Sequence, residues 1–164
     1  MPKIVESPFS PSPSPQNLVS VDISPSRRQR LLQMNPDLCF LVVDDFSTMR
    51  RIIGGLLRQC GVVHILEAED GVQALRAIEG HSIDFVVSDW NMPNMTGLEL
   101  LKTLRAHPKY SHMPLLLVTA EGKKENIVEA AQAGADGYIV KPFTQDVLQE
   151  KVTRILSRRA QATA

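Results

Sequence analysis

Apolar residues between Leu38 and Leu156 come in two alternating rhythms. Short runs that are almost wholly apolar predict strands near Leu38 to Val43, His64 to Glu67, Asp84 to Ser88, Leu115 to Val118 and Gly137 to Val140. Between and after them the apolar positions recur every three or four residues, as an amphipathic helix requires. Arg51, Ile52, Leu56, Leu57 and Cys60 set the first helix, and Val72, Leu75, Ala77 and Ile78 the second. Thr96 caps a third, with Leu98, Leu101 and Leu104 facing inward until Pro108 forbids continuation. Ile127, Val128, Ala130 and Ala131 mark a fourth that stops at Gly134, and Val147, Leu148, Val152 and Ile155 a fifth. Strand–helix alternation with such uniformly apolar strands predicts an α/β fold: a doubly wound, five-stranded parallel sheet covered by helices on both faces.

Four of these strands run into a polar residue of a particular kind. Val43 leads to Asp44-Asp45, Ser88 to Asp89, Val118 to Thr119 and Val140 to Lys141. In an open parallel sheet, ligands bind outside the carboxyl ends of the strands, so these residues converge although they lie far apart in sequence. Three carboxylates crowded together repel, and a hard divalent cation such as Mg²⁺, which takes oxygen ligands, relieves that repulsion. A carboxylate beside such a cation can attack phosphorus and form an aspartyl phosphate. Thr119 and Lys141 supply a hydroxyl and an ammonium to neutralise the transferring group. The simpler alternative, in which Asp44 or Asp45 only caps the helix that follows, stays open for each of those two residues alone.

Composition narrows the partners. Lys plus Arg and Asp plus Glu both number 18, so no overall field favours nucleic acid or an anionic membrane. Cys39 and Cys60 lack metal-ligand spacing and read as two reduced core thiols. His64, His81, His107 and His112 are scattered and read as surface residues. No apolar stretch approaches the roughly 20 residues of a membrane span, and no signal peptide is visible, so a soluble, cytoplasmic protein is expected.

The first 36 residues differ in kind, holding seven of the 11 prolines together with seven serines and no helical or strand period. Residues 1–36 are therefore expected to be a disordered Ser/Pro-rich extension. It ends in Arg27, Arg28 and Arg30, a solvated charge run or a docking element, with a short helix from Arg28 to Met34 as a further option. A single domain is expected over residues 37–158, and a flexible tail over 159–164.

The motifs Val42-Val43-Asp44-Asp45-Phe46-Ser47-Thr48-Met49-Arg50-Arg51, Ser88-Asp89-Trp90-Asn91-Met92-Pro93-Asn94-Met95, Val118-Thr119-Ala120-Glu121 and Gly137-Tyr138-Ile139-Val140-Lys141-Pro142-Phe143-Thr144 resemble the receiver domain of two-component response regulators, in particular its single-domain chemotaxis members. The resemblance implies a 2-1-3-4-5 strand order. It makes Asp89 the phosphoacceptor, supplied by a sensor histidine kinase or a small phosphodonor. It assigns Mg²⁺ to Asp44, Asp45, Asp89 and the backbone of Asn91, binding of the phosphoryl group to Thr119 and Lys141, and a cis peptide to Lys141-Pro142. Tyr138 becomes a switch aromatic that turns inward with Thr119. Glu121 and Asn91 border the approach of the water that removes the phosphoryl group.

The resemblance also implies an output surface. Lys123, Lys124, Ile127, Ala131, Tyr138, Val140, Lys151 and Arg154 offer an apolar centre rimmed by positive charge, suited to an acidic amphipathic segment. The implied reader is a flagellar motor switch protein, with a phosphatase as a further partner, no nucleic acid, no membrane insertion and a monomeric state. A phosphorelay shuttle or phosphate sink without motor output is the alternative. A flavodoxin-like carrier or an Asp-x-Asp phosphatase does not fit, because the first loop lacks a phosphate cradle and Asp44-Asp45 has the wrong spacing. Two positions and the additional segment of about 36 residues depart from the pattern: Thr96 stands where an acid is often found and Gly122 where alanine is usual. Gly54-Gly55 inside the first helix predicts either softness or close packing.

Overall fold

The structure, a computed structural model, describes residues 37–162; what was expected of residues 1–36 lies outside them. Strands β1 (Cys39–Val43), β2 (His64–Ala68), β3 (Phe85–Asp89), β4 (Leu115–Thr119) and β5 (Gly137–Val140) alternate with helices α1 (Ser47–Gln59), α2 (Gly71–Gly80), α3 (Gly97–Ala106), α4 (Lys124–Gln132) and α5 (Gln145–Ala162). All strand pairs are parallel, in the order β2-β1-β3-β4-β5, as the pattern predicts. The chain leaves β1 for β2 on one side and then returns to β3 on the other. The crevice formed by this reversal opens at the carboxyl ends of β1 and β3.

Successive strand residues point to opposite faces, so each central strand feeds two cores. Leu41, Val43, Val86, Leu115 and Leu117 pack with α2, α3 and α4 through Ala74, Ile78, Leu101, Leu104 and Ala130. Phe40, Val42, Phe85, Val87, Leu116 and Val118 meet Ile53 and Leu57 of α1 and Leu148, Val152 and Ile155 of α5. Phe40 and Phe85 stack at 4.8 Å between centroids. Register is pinned at the amino ends of the central strands, where the Asp84 carboxylate accepts the Cys39 N–H at 2.8 Å. Asp89 and Thr119 are the last residues of their strands rather than the first of the loops, so ladder hydrogen bonds hold them.

Local rules start the helices. Thr96 accepts the Glu99 N–H at 3.1 Å, and Glu99 in return accepts the Thr96 N–H at 2.8 Å, a reciprocal cap that fixes the start of α3. The glycine pair of α1 is not there for close packing. A Cβ built on Gly55 meets nothing within 4 Å, and one on Gly54 only the Arg58 guanidinium at 3.5 Å. Gly55→Ala should therefore stabilise the fold by about 0.5–1 kcal/mol, read as a higher urea midpoint at unchanged slope. A lower midpoint would show that α1 needs the freedom of glycine.

Helix α5 crosses the carboxyl boundary expected at residue 158. Helix α5 runs on to Ala162 because its last turns are anchored. Arg159 Nε and Nη2 donate to Asp136 Oδ1 at 3.1 and 2.6 Å, while Arg105 Nη2 donates to the other oxygen at 2.9 Å. One carboxylate thus ties α3, α5 and the loop before β5 together. Both cysteines are free thiols; Cys60 is buried, and burial raises its pKa.

Candidate functional site

Four of the five strand-end residues meet: Asp44, Asp45, Asp89 and Lys141. Lys141 Nζ donates to Asp44 Oδ2 at 3.1 Å and to Asp89 Oδ1 at 3.3 Å, bridging residues 97 and 52 positions away. Asp44 is fully buried and Asp89 nearly so. Asp45 is exposed, and carboxylate oxygens of Asp44, Asp45 and Asp89 lie within 4.8 Å of one another. The Lys141–Pro142 peptide is cis, as the resemblance implied. Backbone donors orient the acids: Phe46 N–H to Asp44 Oδ1 at 2.9 Å, and Trp90 N–H to Asp89 Oδ1 at 2.9 Å. The capping alternative therefore holds only in part. Asp44 does bind the loop backbone, but the residue at the helix N-cap is Phe46, which has no side-chain cap.

Charge is unbalanced here. Burial and then the neighbouring Asp44 carboxylate push the Asp89 pKa up, and they outweigh Lys141 and the Trp90 N–H, which pull it down. One ammonium faces three carboxylates, and among the described residues Asp45 has no ion-pair partner. A hard divalent cation with oxygen ligands fits that donor set. Asn91 follows two residues after Asp89, exposed at the rim, where its carbonyl was expected to contribute.

A hydroxyl ends β4, the strand that neighbours β3. Thr119 is buried, and its Oγ1 accepts the Glu121 N–H at 3.2 Å. The Lys141 N–H donates to the Thr119 carbonyl at 2.7 Å, locking the ends of β4 and β5 together. Tyr138 is turned inward with 6% of its surface exposed, its hydroxyl donating to the Glu121 carbonyl. Trp90 meets the Tyr138 ring edge-on at 6.2 Å. The residue beside the acceptor and the aromatic of β5 are thereby in direct contact.

Three supports escaped the sequence reading. Arg50 Nη1 donates to the Asp44 carbonyl at 2.7 Å while its Nε lies 3.4 Å from a Glu67 carboxylate oxygen, bracing the acidic loop against the end of β2. Asn94, in the left-handed region at φ 66°, donates to Asp70 Oδ2 at 2.8 Å and so fixes the loop after β3. Asparagine tolerates that conformation, which was the one available signal. Gly97 fits where no side chain could, since a Cβ would stand 2.1 Å from the Asp89 carbonyl oxygen.

Asp70 also caps α2, accepting the Gln73 N–H at 2.8 Å. These bonds hold its pKa below the ordinary 3.8, so its stabilisation is present above that value and is lost as pH falls through the lower folded value. Asp70→Ala should cost about 1–2 kcal/mol at pH 7. In urea titrations the gap from the unmodified chain should close as pH drops below 3.8, and a pH-independent gap would contradict the assignment.

The expected partner face divides by exposure. Lys123 and Lys124 stand in solvent, Ile127 and Ala131 are half-buried, and Val140 is 40% exposed. Lys123 pairs with Glu121 at 3.2 Å and Arg154 with Glu150 at 2.9 Å. Burial and nearby Arg154 lower the Lys151 pKa.

A parallel 2-1-3-4-5 sheet carrying an acidic cluster and a bridging ammonium at adjoining strand ends is the architecture of a signalling receiver module. The chain belongs to the response regulator receiver domain family, whose pattern matches residues 40–153. It is 55% identical over 118 residues to the chemotaxis protein CheY of Pseudomonas aeruginosa, an alignment spanning 72% of this chain and 95% of that protein. The solved chemotaxis response regulator CheY4 of Vibrio cholerae superposes with a TM-score of 0.67 at 34% identity, over 72% of this chain and 98% of that one. The receiver domain of a Pseudomonas aeruginosa sensor histidine kinase, at 27% identity and a TM-score of 0.66 over 73% of this chain and 98% of that one, has a magnesium ion coordinated in its active-site cleft. Among the described residues no helix is long and apolar enough to cross a membrane.

Proposed function

We propose that this protein is a chemotaxis-type response regulator that takes a phosphoryl group on Asp89 and relays that event through Tyr138 to the face made by α4, β5 and α5. The observation that carries this reading is the single ammonium of Lys141 shared between Asp44 and Asp89 inside a cluster of three carboxylates. Asp89 Oδ attacks phosphorus, the bond from phosphorus to the donor's histidine nitrogen breaks, and an acyl phosphate forms. Asp44, Asp45, Asp89 and the Asn91 carbonyl would hold Mg²⁺, which would supply positive charge beside the transferring phosphoryl group. Lys141 and Thr119 then face the new phosphoryl oxygens, and Trp90 and Tyr138 wall the site from bulk water. Movement of Thr119 toward the phosphoryl group is felt by Tyr138, which spans from Thr119 to the β5 surface. Reversal requires water to reach the acyl phosphate past Asn91 and Glu121, both exposed at the rim.

The phosphodonor in this reading is a sensor histidine kinase, and the reader of the phosphorylated face is an acidic segment of a flagellar motor switch protein, as the chemotaxis relatives support. Because Trp90 is the only tryptophan and lies next to Asp89, its fluorescence reports on the site. Millimolar Mg²⁺ should change the emission saturably and raise the melting temperature, and a small phosphodonor should then produce a second, slower change. A flat Mg²⁺ titration with no thermal shift would defeat the cation assignment. A motor-switch peptide that binds equally with and without phosphodonor would reduce the protein to a phosphate sink.

A further inference from the structure

Two of the three clustered carboxylates are held directly. Asp44 accepts the Phe46 N–H and the Lys141 ammonium, and Asp89 accepts the Trp90 N–H and the same ammonium. Asp45 is exposed and has no ion-pair partner among the described residues, yet one of its oxygens lies within 4.8 Å of an oxygen from each of the other two. Repulsion alone would drive such a carboxylate outward. Its place is therefore set by the backbone, and the backbone there is gripped by one side chain. Arg50 Nη1 donates at 2.7 Å to the Asp44 carbonyl, which belongs to the peptide joining Asp44 to Asp45.

Arg50 adds little to the stability of α1 itself. It is the fourth residue of that helix, near the positive end of the dipole, where a cation is disfavoured. Its side chain is only 12% exposed, and its Nε is buried without a hydrogen bond, an arrangement that costs stability. The contacts to Glu67 and Glu69 are long, at 3.4 and 3.9 Å, and run to exposed side chains, so they contribute little. They do occupy Nε and Nη2, which leaves Nη1 for the carbonyl.

We propose that Arg50 is a positioning residue for the divalent cation: its grip on the peptide between Asp44 and Asp45 aims the Asp45 carboxylate at those of Asp44 and Asp89, so that the three acids form a site before any cation arrives. The proposal rests on the cation assignment made above and adds what preorganises it. Removing the guanidinium has two opposed effects, and their signs separate positioning from charge. Loss of a positive charge near three carboxylates would by itself tighten Mg²⁺ binding. Loss of the grip would weaken it, by about tenfold if Arg50 acts as the supports behind metal ligands do.

Mg²⁺ titrations of the full chain, followed by Trp90 emission and by the shift in melting temperature, read that balance. Arg50→Met should bind Mg²⁺ about tenfold more weakly although it removes a cation. Arg50→Lys keeps the charge but cannot reach the carbonyl and both glutamates at once, so its affinity should fall between the two. In an Asp45→Asn background, Arg50→Met should have no further effect, because Arg50 acts through Asp45. Equal or tighter binding by Arg50→Met would overturn the proposal. So would an additive loss in the Asp45→Asn background, which would mean a general loosening of the fold. Should Arg50→Met fail to fold, unchanged affinity in Arg50→Lys would overturn it instead. A flat titration of the unmodified chain would remove the cation assignment and this proposal with it, whereas normal binding by that chain confines any failure to the role of Arg50.

Discussion

Asp89→Asn should reduce incorporation of acid-labile phosphate from a small phosphodonor to background while leaving the circular dichroism spectrum unchanged. The amide preserves the shape of the side chain and can still accept the Trp90 N–H, but it lacks the oxygen that attacks phosphorus. The same variant should melt higher than the unmodified chain in metal-free buffer at neutral pH. Burial and Asp44 raise the Asp89 pKa, so the folded state binds its proton more tightly than the unfolded state, and stability falls as pH rises from 3.8 through the raised folded value. Removing that charge removes the loss. With millimolar Mg²⁺ the order should reverse, because the variant gives up a cation ligand. Label retained by the variant would move the acceptor elsewhere, and a lower melting temperature in metal-free buffer would show that pairing with Lys141 outweighs repulsion from Asp44.

Gly97→Ala should be the most damaging methyl group that can be added to this chain. The new Cβ would stand 2.1 Å from the Asp89 carbonyl oxygen and 3.0 Å from Leu117, both parts of the central sheet that cannot move aside cheaply. The cost should be about 3 kcal/mol or more, against the gain expected for the same substitution at Gly55. Because the clash falls on the acceptor's own backbone, the fraction that still folds should accept phosphate more slowly, which separates it from a merely destabilised protein. A variant of normal stability would mean that the start of α3 lies farther from β3 than the structure shows.

Much of this arrangement was readable beforehand because period and position are strong signals. Uniformly apolar runs marked the strands, and the polar residues ending them marked the crevice, so the meeting of Asp44, Asp45, Asp89 and Lys141 was legible without coordinates. What stayed hidden depends on contacts between segments far apart in the chain. Arg50 looks like any helix arginine until its guanidinium is seen on the Asp44 carbonyl. Asp136 shows no sign in the sequence that it will gather Arg105 and Arg159 and so anchor the last turns of α5. The glycines misled in both directions. The conspicuous pair in α1 has room to spare, while the unremarked Gly97 has none.

Strand pairing sets the tolerance of the chemistry. Asp89 sits level with Val118, and Thr119 with Val140, so the acceptor, the hydroxyl and the ammonium are each offset by a fixed step along neighbouring strands. Slippage by a single position would swing the acceptor to the opposite side of the sheet and present Ser88 to Lys141 in its stead. The apolar side chains of β3 and β4, remote from any phosphorus atom, are thus the gauge against which the reaction is aligned.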